Sequence, residues 1–173
     1  MLPATKVLPK ELLPLVDRPI VQYGVEEAVR SGIRQVVLIT NPENTLTTSH
    51  FNVNQTLESA LAQNKKSELL ETVRNLTTMA NVTSLPQVEP RGLGHAVLCG
   101  KPAVGDHPFA VLLPDDVIDA EPAALQQMLD VFSWASVLAK FLEITFAVRI
   151  IFCQLVVRLV LRHHSTSLTL CVL

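Results

Sequence analysis

Two short apolar runs constrain the fold of this chain more than any other feature of its 173 residues. They are VVLIT at positions 36–40 and FAVLL at positions 109–113. Each is too short for a typical helix and lacks polar alternation, as expected for a strand that is buried on both faces of a parallel sheet. Because helices must cover both faces of such a sheet, the runs predict an α/β fold.

The segments around these runs fit the same alternation of strands and helices. Apolar spacing predicts a helix over 20–30, which ends at Ser31-Gly32, and one or two helices over 57–76. The prolines that precede Ile20 exclude a helix or a central strand there and predict a loop that they hold extended. The other predicted elements are a weak strand near 82–85, a glycine turn that opens a helix at 91–97, a helix over 120–132 and the start of a strand at 136–139.

The charged residues are distributed unevenly along the chain. It contains 14 basic and 16 acidic residues, a formal charge of −2, which argues against a dedicated nucleic-acid-binding protein. All of the acids except Glu143 precede Phe132, and the sequence after it is rich in Val, Leu, Ile and Phe. We therefore expect an α/β domain over 1–139 and an apolar tail of different character over 140–173.

Asp115 and Asp116 follow closely after the second apolar run. In open α/β sheets ligands bind outside the carboxyl ends of the strands, so these carboxylates lie where a ligand is expected. Mg²⁺ binds through one or two protein carboxylates and completes its shell with water and substrate phosphates. The alternative is a simple turn, which Pro-Asp-Asp also favours and which is the more common of the two.

Three further features carry chemistry that a nucleotide site would use. Gly92 and Gly94 would let the backbone approach a ligand at the start of a helix. Gln87 offers an amide that could recognise the edge of a pyrimidine, and Lys10 offers a point charge for phosphate. Each feature also has an ordinary interpretation, namely a helix-entry turn, a solvated glutamine and a surface lysine.

Taken together, these residues resemble one family in their order and spacing. The segments MLPATKVLPKELLPLVDRPIVQYGVEEAVRSGI, VVLIT, HF at 50–51 and QVEPRGLGHAVLCGKPAVGDHPFAVLLPDD resemble bacterial UTP–glucose-1-phosphate uridylyltransferases. These are the sugar-nucleotide pyrophosphorylases that make UDP-glucose. Related thymidylyl- and guanylyltransferases share the PK-x-LLP element, but GLGHAV followed by LPDD indicates the uridylyl branch.

The resemblance implies a Rossmann-like nucleotidyltransferase sheet that is incomplete, lacking its first strand and its second half. It also implies an attack by the phosphate oxygen of glucose 1-phosphate on the α-phosphate of UTP, which yields UDP-glucose and pyrophosphate. Such chemistry depends on positioning and charge neutralisation. UTP and glucose 1-phosphate are therefore the expected substrates, Mg²⁺ the expected cofactor, and a homo-oligomer the expected assembly of an intact family member.

The same resemblance implies roles for individual residues. Lys10 matches a loop lysine that contacts phosphates, and its neighbour Glu11 lies near the nucleotide. Gln87 matches a glutamine that reads uracil, although Val88 replaces a frequent glycine. His95 has no implied ligand role and is expected to pack or to hydrogen-bond locally. Gly92 matches a glycine whose backbone contacts the base. Asp115 matches the magnesium-binding aspartate, and Asp116 is a second metal candidate. Lys10 and Asp115 are the implied catalytic residues.

Two departures from the family pattern lower the expected activity. The family has a glycine-rich loop ending in Gly-Thr-Arg directly before the segment that begins here at Met1, and a misassigned start codon would explain the difference. From Lys140 onward the sequence no longer resembles the family, and it contains neither a Glu-Lys-Pro motif nor an aspartate after Asp130. Removing a single oxyanion-stabilising donor costs about 10²–10³ in rate, so we expect a truncated, inactive form.

The tail has two interpretations. A reading frame shifted near 133–140 explains the loss of acids and is the interpretation that the pattern favours. The alternative is a membrane segment over 144–161, in which Arg149 and Arg158 would each cost about 2.5–3.5 kcal/mol near the bilayer centre. A non-catalytic protein that binds an intact uridylyltransferase subunit and a membrane-tethered remnant are the corresponding alternative functions.

The cysteines and the first residues favour a cytoplasmic protein. Cys99, Cys153 and Cys171 are odd in number and have no CxxC spacing, which is typical of reduced thiols rather than of a disulfide framework. The start at Met1–Lys6 lacks the apolar stretch of a signal peptide.

Overall fold

A four-stranded parallel sheet organises the part of the chain that the computed structural model describes, residues 3–142 and 169–172. The strands in these residues are β1 (Pro14–Leu15), β2 (Arg18–Pro19), β3 (Gln35–Thr40), β4 (Asn81–Pro86), β5 (Phe109–Leu112) and β6 (Thr169–Val172). The α-helices are α1 (Ile20–Arg30), α2 (Leu46–Ser49), α3 (Gln55–Gln63), α4 (Ser67–Thr78), α5 (Leu93–Cys99), α6 (Lys101–Val104) and α7 (Ala124–Leu142). The α/β fold predicted from the sequence is confirmed.

The strand order of the sheet is β4-β3-β6-β5, and every neighbouring pair is parallel. Strand β6 lies between β3 and β5, with Cys171 opposite Val37 on one side and Val111 on the other. Four residues of the predicted tail therefore form a central strand of the same sheet as the preceding domain. The domain boundary at 139/140 stays a prediction.

The two apolar runs form β3 and β5, and both strands are buried on both faces, as predicted. The residues of these strands that pack on the face covered by α1 and α7 are Val36, Leu38, Ala110 and Leu112. Their neighbours Val37, Ile39 and Val111 pack on the opposite face with residues of α5 and α6. This alternation follows from the strand geometry, in which successive side chains point to opposite sides.

Helix α1 has the boundaries that the apolar spacing predicts. Its buried residues Val21, Val25 and Ala28 lie on one side, as helical periodicity requires. Gly32 follows shortly after the helix with a φ of +81°, the left-handed conformation that favours glycine, and the Ile33 N–H then donates to the Ala28 carbonyl at 2.9 Å. The predicted helical region over 57–76 is also confirmed, as the separate helices α3 and α4.

Two predictions about local structure were wrong. The strand expected at 136–139 lies within α7, which begins at Ala124 and continues to Leu142. A short and mostly apolar run cannot distinguish strand from helix, and no glycine or proline interrupts α7. The proline-rich loop is not simply extended, since it contains two 3₁₀ turns, Ala4–Lys6 and Lys10–Leu12, and the β1–β2 hairpin.

The predicted membrane segment over 144–161 lies outside the described residues. Among the helices that are described, none combines the length and the hydropathy needed to cross a bilayer.

A buried carboxylate joins the two helices on one face of the sheet. Glu27 of α1 is only 6% exposed, and its Oε1 accepts a hydrogen bond of 2.8 Å from the backbone N–H of Leu125 at the start of α7. A carboxylate at this end of a helix is favourable because the first N–H groups have no partner within the helix. The contact helps to fix the segment that connects β5 to α7, which carries Asp115 and Asp116.

Candidate functional site

The carboxyl ends of three parallel strands carry the residues that the sequence singled out. Strand β3 ends at Thr40, β4 ends just before Gln87, and β5 is followed within three residues by Asp115. The Gln87 N–H donates to the Thr40 carbonyl at 2.8 Å, which fixes Gln87 beside the end of β3. Because the strands are parallel, their carboxyl ends lie at one edge of the sheet, where ligands bind in open α/β folds.

The structure brings together Lys10 and Asp115, the two predicted catalytic residues. The Lys10 Nζ donates to the Asp115 Oδ2 at 3.1 Å, although 105 positions separate them in the sequence. About half of each side chain is exposed, at 50% and 49%. The hydrogen bond from the Lys10 ammonium lowers the pKa of Asp115 below its ordinary value. A charged lysine and an ionised carboxylate therefore meet at the edge of the sheet.

The space enclosed around this ion pair is small. It measures about 10 Å³ and is lined by Lys10, Glu11, Ile20, Pro114 and Asp115. A volume of that size corresponds to roughly one water molecule. A phosphate group is too large for this space, so it would have to reach the half-exposed Lys10 from the solvent side.

Glu11 is held by two residues that the sequence did not indicate. Its Oε1 accepts hydrogen bonds from Asn44 Nδ2 at 2.9 Å and from Thr47 Oγ1 at 3.3 Å. Thr47 is 2% exposed, so these bonds connect the proline-rich loop to the segment after β3. No sequence motif marks Asn44 or Thr47, because their contact with Glu11 depends on the folded path of the chain.

Gln87, Gly92 and His95 form a second cluster at this edge. The Gln87 side-chain nitrogen lies 3.2 Å from the Gly92 carbonyl oxygen and 3.1 Å from His95 Nδ1. Gly92 directly precedes α5 and has a φ of +88°, so a residue with a Cβ would be strained there even though nothing lies within 4 Å of that Cβ. The local hydrogen bonding expected for His95 is therefore observed, and its partner is the predicted uracil-reading glutamine.

Asp116 does not join Lys10 and Asp115. Its backbone N–H donates to the Leu113 carbonyl at 3.1 Å, which is the turn that Pro-Asp-Asp favours. The residue lines a separate cavity of about 680 Å³, together with Arg18, Tyr23 and Glu26. The role of Asp116 as a metal ligand stays a prediction that this placement does not support.

The Asp115 carboxylate offers the kind of oxygen that Mg²⁺ prefers in proteins. No group of three or more potential metal-binding side chains occurs within the described ranges 3–142 and 169–172. Mg²⁺ does not require such a group, since one or two carboxylates suffice when water and substrate phosphates complete its shell. Asp115 Oδ2 accepts the hydrogen bond from Lys10. The other carboxylate oxygen, Oδ1, could therefore coordinate a metal ion at the edge of the sheet.

Known proteins are similar to this chain in fold and in sequence. The sequence pattern of the nucleotidyl transferase family matches residues 1–142. The chain belongs to this family. The UDP-glucose pyrophosphorylase of Acinetobacter baumannii has a solved structure with a TM-score of 0.74 and 40% identity, covering 78% of this chain and 48% of that one. A structure described as UTP-bound UGPase from the same organism gives the same values.

Curated relatives extend the comparison. The UTP–glucose-1-phosphate uridylyltransferase of Bacillus subtilis is 46% identical over 129 residues, which cover 75% of this chain and 44% of the relative. The B. subtilis protein YngB, of the same description, is 47% identical over 131 residues, with 76% and 44% covered. The resemblance drawn from the sequence is thus confirmed. The chain spans less than half the length of these curated relatives.

Proposed function

We propose that this chain provides the UTP-binding part of a UTP–glucose-1-phosphate uridylyltransferase. The observation that carries the proposal is the 3.1 Å contact between Lys10 and Asp115 at the edge of the sheet where ligands bind. The names of the curated relatives, and the UTP bound to the A. baumannii enzyme, support the choice of UTP and glucose 1-phosphate as substrates.

The Lys10–Asp115 pair has the properties of a contact that substrate replaces. An ion pair between two half-exposed side chains contributes about 0–1 kcal/mol, so separating the two groups costs little. A triphosphate would take the Lys10 ammonium as its partner, and the released Asp115 carboxylate would hold Mg²⁺. The bound metal would neutralise charge on the phosphates. The Lys10 ammonium would bind the same phosphates, orient them and neutralise part of their charge.

Gln87 and Gly92 would bind the base of the nucleotide. Gln87 is partly buried and fixed at the end of β4 by its backbone bond to Thr40. Gly92 carries no side chain, so a planar base could approach its backbone closely. Their common position at the carboxyl edge with Asp115 supports one extended nucleotide site.

Turnover by this polypeptide alone is expected to be far below that of a full-length relative, because the chain spans less than half of one. We also propose a cytoplasmic location, which the free thiol of Cys99 supports. The assembly into a homo-oligomer is proposed for the intact enzyme.

Calorimetric titration with UTP in the presence of Mg²⁺ tests the proposal. Lys10→Met should weaken binding about tenfold to a hundredfold, the range for a hydrogen bond to a charged group. The matched control is Lys101→Met, which removes an exposed lysine of α6. Unchanged affinity in Lys10→Met, or no UTP binding by the unsubstituted chain, would contradict the proposal. Pyrophosphate release from UTP and glucose 1-phosphate, compared with a full-length relative, tests the expected low turnover.

A further inference from the structure

The orientation of the Gln87 side chain is determined by the groups around it. Its amide nitrogen is 3.2 Å from the Gly92 carbonyl oxygen. That oxygen can only accept, and it already accepts from the Ala96 N–H at 3.1 Å. If the amide were rotated by 180°, two oxygens with no hydrogen between them would face each other. The nitrogen of Gln87 must therefore point toward Gly92, and its oxygen must point the other way.

The same nitrogen fixes the protonation of His95. The second amide hydrogen of Gln87 points to His95 Nδ1, 3.1 Å away, so Nδ1 must accept and carry no proton. The ring proton of the neutral histidine is then on Nε2. The Cys99 Sγ lies 4.0 Å from the same Nδ1, and a thiol is also a weak donor to an unprotonated nitrogen. Every contact of Nδ1 in the described residues is thus consistent with an acceptor.

We propose that His95 is a positioning residue that holds the Gln87 amide with its oxygen toward the base and thereby selects uracil over cytosine. This inference rests on the proposed function. With both amide hydrogens engaged by Gly92 and His95, Gln87 presents only its Oε1, which is an acceptor. Uracil carries a hydrogen on N3 and can donate to this oxygen. In the same orientation cytosine would place the lone pair of N3 against the lone pairs of Oε1, and only a shifted base could offer its 4-amino hydrogens instead.

Removing the acceptor at position 95 should weaken this selection. In His95→Phe only the Gly92 carbonyl would still orient the amide, so rotating the amide to present its nitrogen to cytosine N3 would cost one hydrogen bond less than in the unsubstituted chain. The ratio of UTP affinity to CTP affinity should fall about fivefold, the factor that corresponds to one neutral hydrogen bond. A residue that only filled space would change both affinities together and leave the ratio unaltered.

Two further variants make the test specific. His95→Asn places a side-chain oxygen at the position of Nδ1, so it should restore most of the selection that His95→Phe loses. His107→Phe makes the same exchange at an exposed histidine and should leave the ratio unchanged. Circular dichroism of each variant verifies that it is folded. Calorimetric titrations with UTP and with CTP, both with Mg²⁺, give the ratios.

Nitrogen-15 NMR of the unsubstituted chain tests the hydrogen-bond arrangement without any nucleotide. In its neutral form, the His95 ring should carry its proton on Nε2. A proton on Nδ1 would overturn the inference, as would an unchanged UTP-to-CTP ratio in a folded His95→Phe. If the tautomer is as expected but the chain binds neither nucleotide, the proposed function is refuted and the selection with it, whereas the orientation of Gln87 by His95 stands.

Discussion

The candidate site has two parts that are built in different ways. The phosphate side consists of Lys10 and Asp115, which are charged, half-exposed and 105 positions apart. The base side consists of Gln87, Gly92 and His95, which lie within eight positions of one another. The base side therefore depends mainly on the local path from β4 into α5. The phosphate side exists only when the sheet brings distant segments together.

Strand β6 is the element on which this difference depends most. In the described residues β5 pairs with β6 alone, and β6 in turn pairs with β3. Asp115 follows β5, so its position relative to the rest of the sheet is transmitted through Thr169–Val172. The base side follows β4, which pairs directly with β3 over six residue pairs, Gln35↔Asn81 to Thr40↔Pro86.

The largest effect is expected from Cys171→Pro. Cys171 lies in the central strand, opposite Val37 and Val111, and proline would remove a ladder hydrogen bond and leave a buried carbonyl without its donor. We expect the free energy of unfolding to fall by about 3 kcal/mol or more. Urea denaturation followed by circular dichroism measures this loss.

The control for this prediction is Cys171→Ala, which keeps the backbone N–H. It should cost clearly less than the proline variant. Equal stabilities of the proline and alanine variants would mean that β6 does not pair in the sheet. Spectroscopic probes at Asp115 and at Gln87 would distinguish the phosphate side from the base side. A weakened β6 should disturb Asp115 before it disturbs Gln87.

The same difference explains what the sequence could predict. Strands β3 and β5 were predictable because burial on both faces produces an unbroken apolar run. Lys10, Gln87 and Asp115 were predictable because they lie in segments that resemble a known family. The central position of β6 was not predictable, since Thr169–Val172 lies in a tail whose composition resembles nothing in that family. The position of a strand in a sheet depends on which strands pair with it, and the sequence does not show these pairings.

Local geometry determined which candidate residues come together. Local hydrogen bonding was expected for His95, but its partner Gln87, eight positions away, was not predicted, because a histidine carries no mark of which ring nitrogen is used. Asp116 was the second metal candidate next to Asp115, yet the turn after Leu113 directs it to a different cavity. Adjacent residues in a turn point in different directions, so sequence proximity did not imply a shared site.

A smaller effect is expected on the base side from Gly92→Ala. The φ of +88° at Gly92, with ψ near 180°, is a conformation that costs a residue with a side chain about 1–3 kcal/mol. Because the strain is local, the free energy of unfolding should fall by about 2 kcal/mol while the Lys10–Asp115 contact persists. Thermal denaturation measures the first effect, and the pKa of Asp115 reports the second.

Gly94→Ala provides the matched comparison for Gly92. Gly94 lies inside α5, and a Cβ there would meet nothing within 4 Å. Alanine is favoured over glycine in a helix by roughly 0.5–1 kcal/mol, so this variant should be slightly more stable than the unsubstituted chain. If the two variants lost stability equally, the backbone conformation of Gly92 would not be the cause.

The smallest effect on stability is expected from Lys10→Met, although this change removes half of the phosphate side. An exposed ion pair contributes about 0–1 kcal/mol, so the free energy of unfolding at neutral pH should fall by no more than about 1 kcal/mol. The pKa of Asp115 should nevertheless rise toward its ordinary value, because the hydrogen bond from Lys10 is the main cause that lowers it. Carbon-13 NMR titration of the Asp115 carboxyl measures this rise.

The pH dependence of stability should follow the same change. A carboxyl whose pKa is lower in the folded than in the unfolded chain stabilises the fold above the unfolded pKa, near 3.9, and this contribution is lost as the pH falls through the folded value. Lys10→Met should therefore lose less stability on acidification than the unsubstituted chain. Asp17 serves as the internal reference, since its pKa is lowered by Arg18 and should not move. An unchanged pKa of Asp115 would show that Lys10 and Asp115 are not paired in solution, and the phosphate side would then have to be assembled by the nucleotide itself.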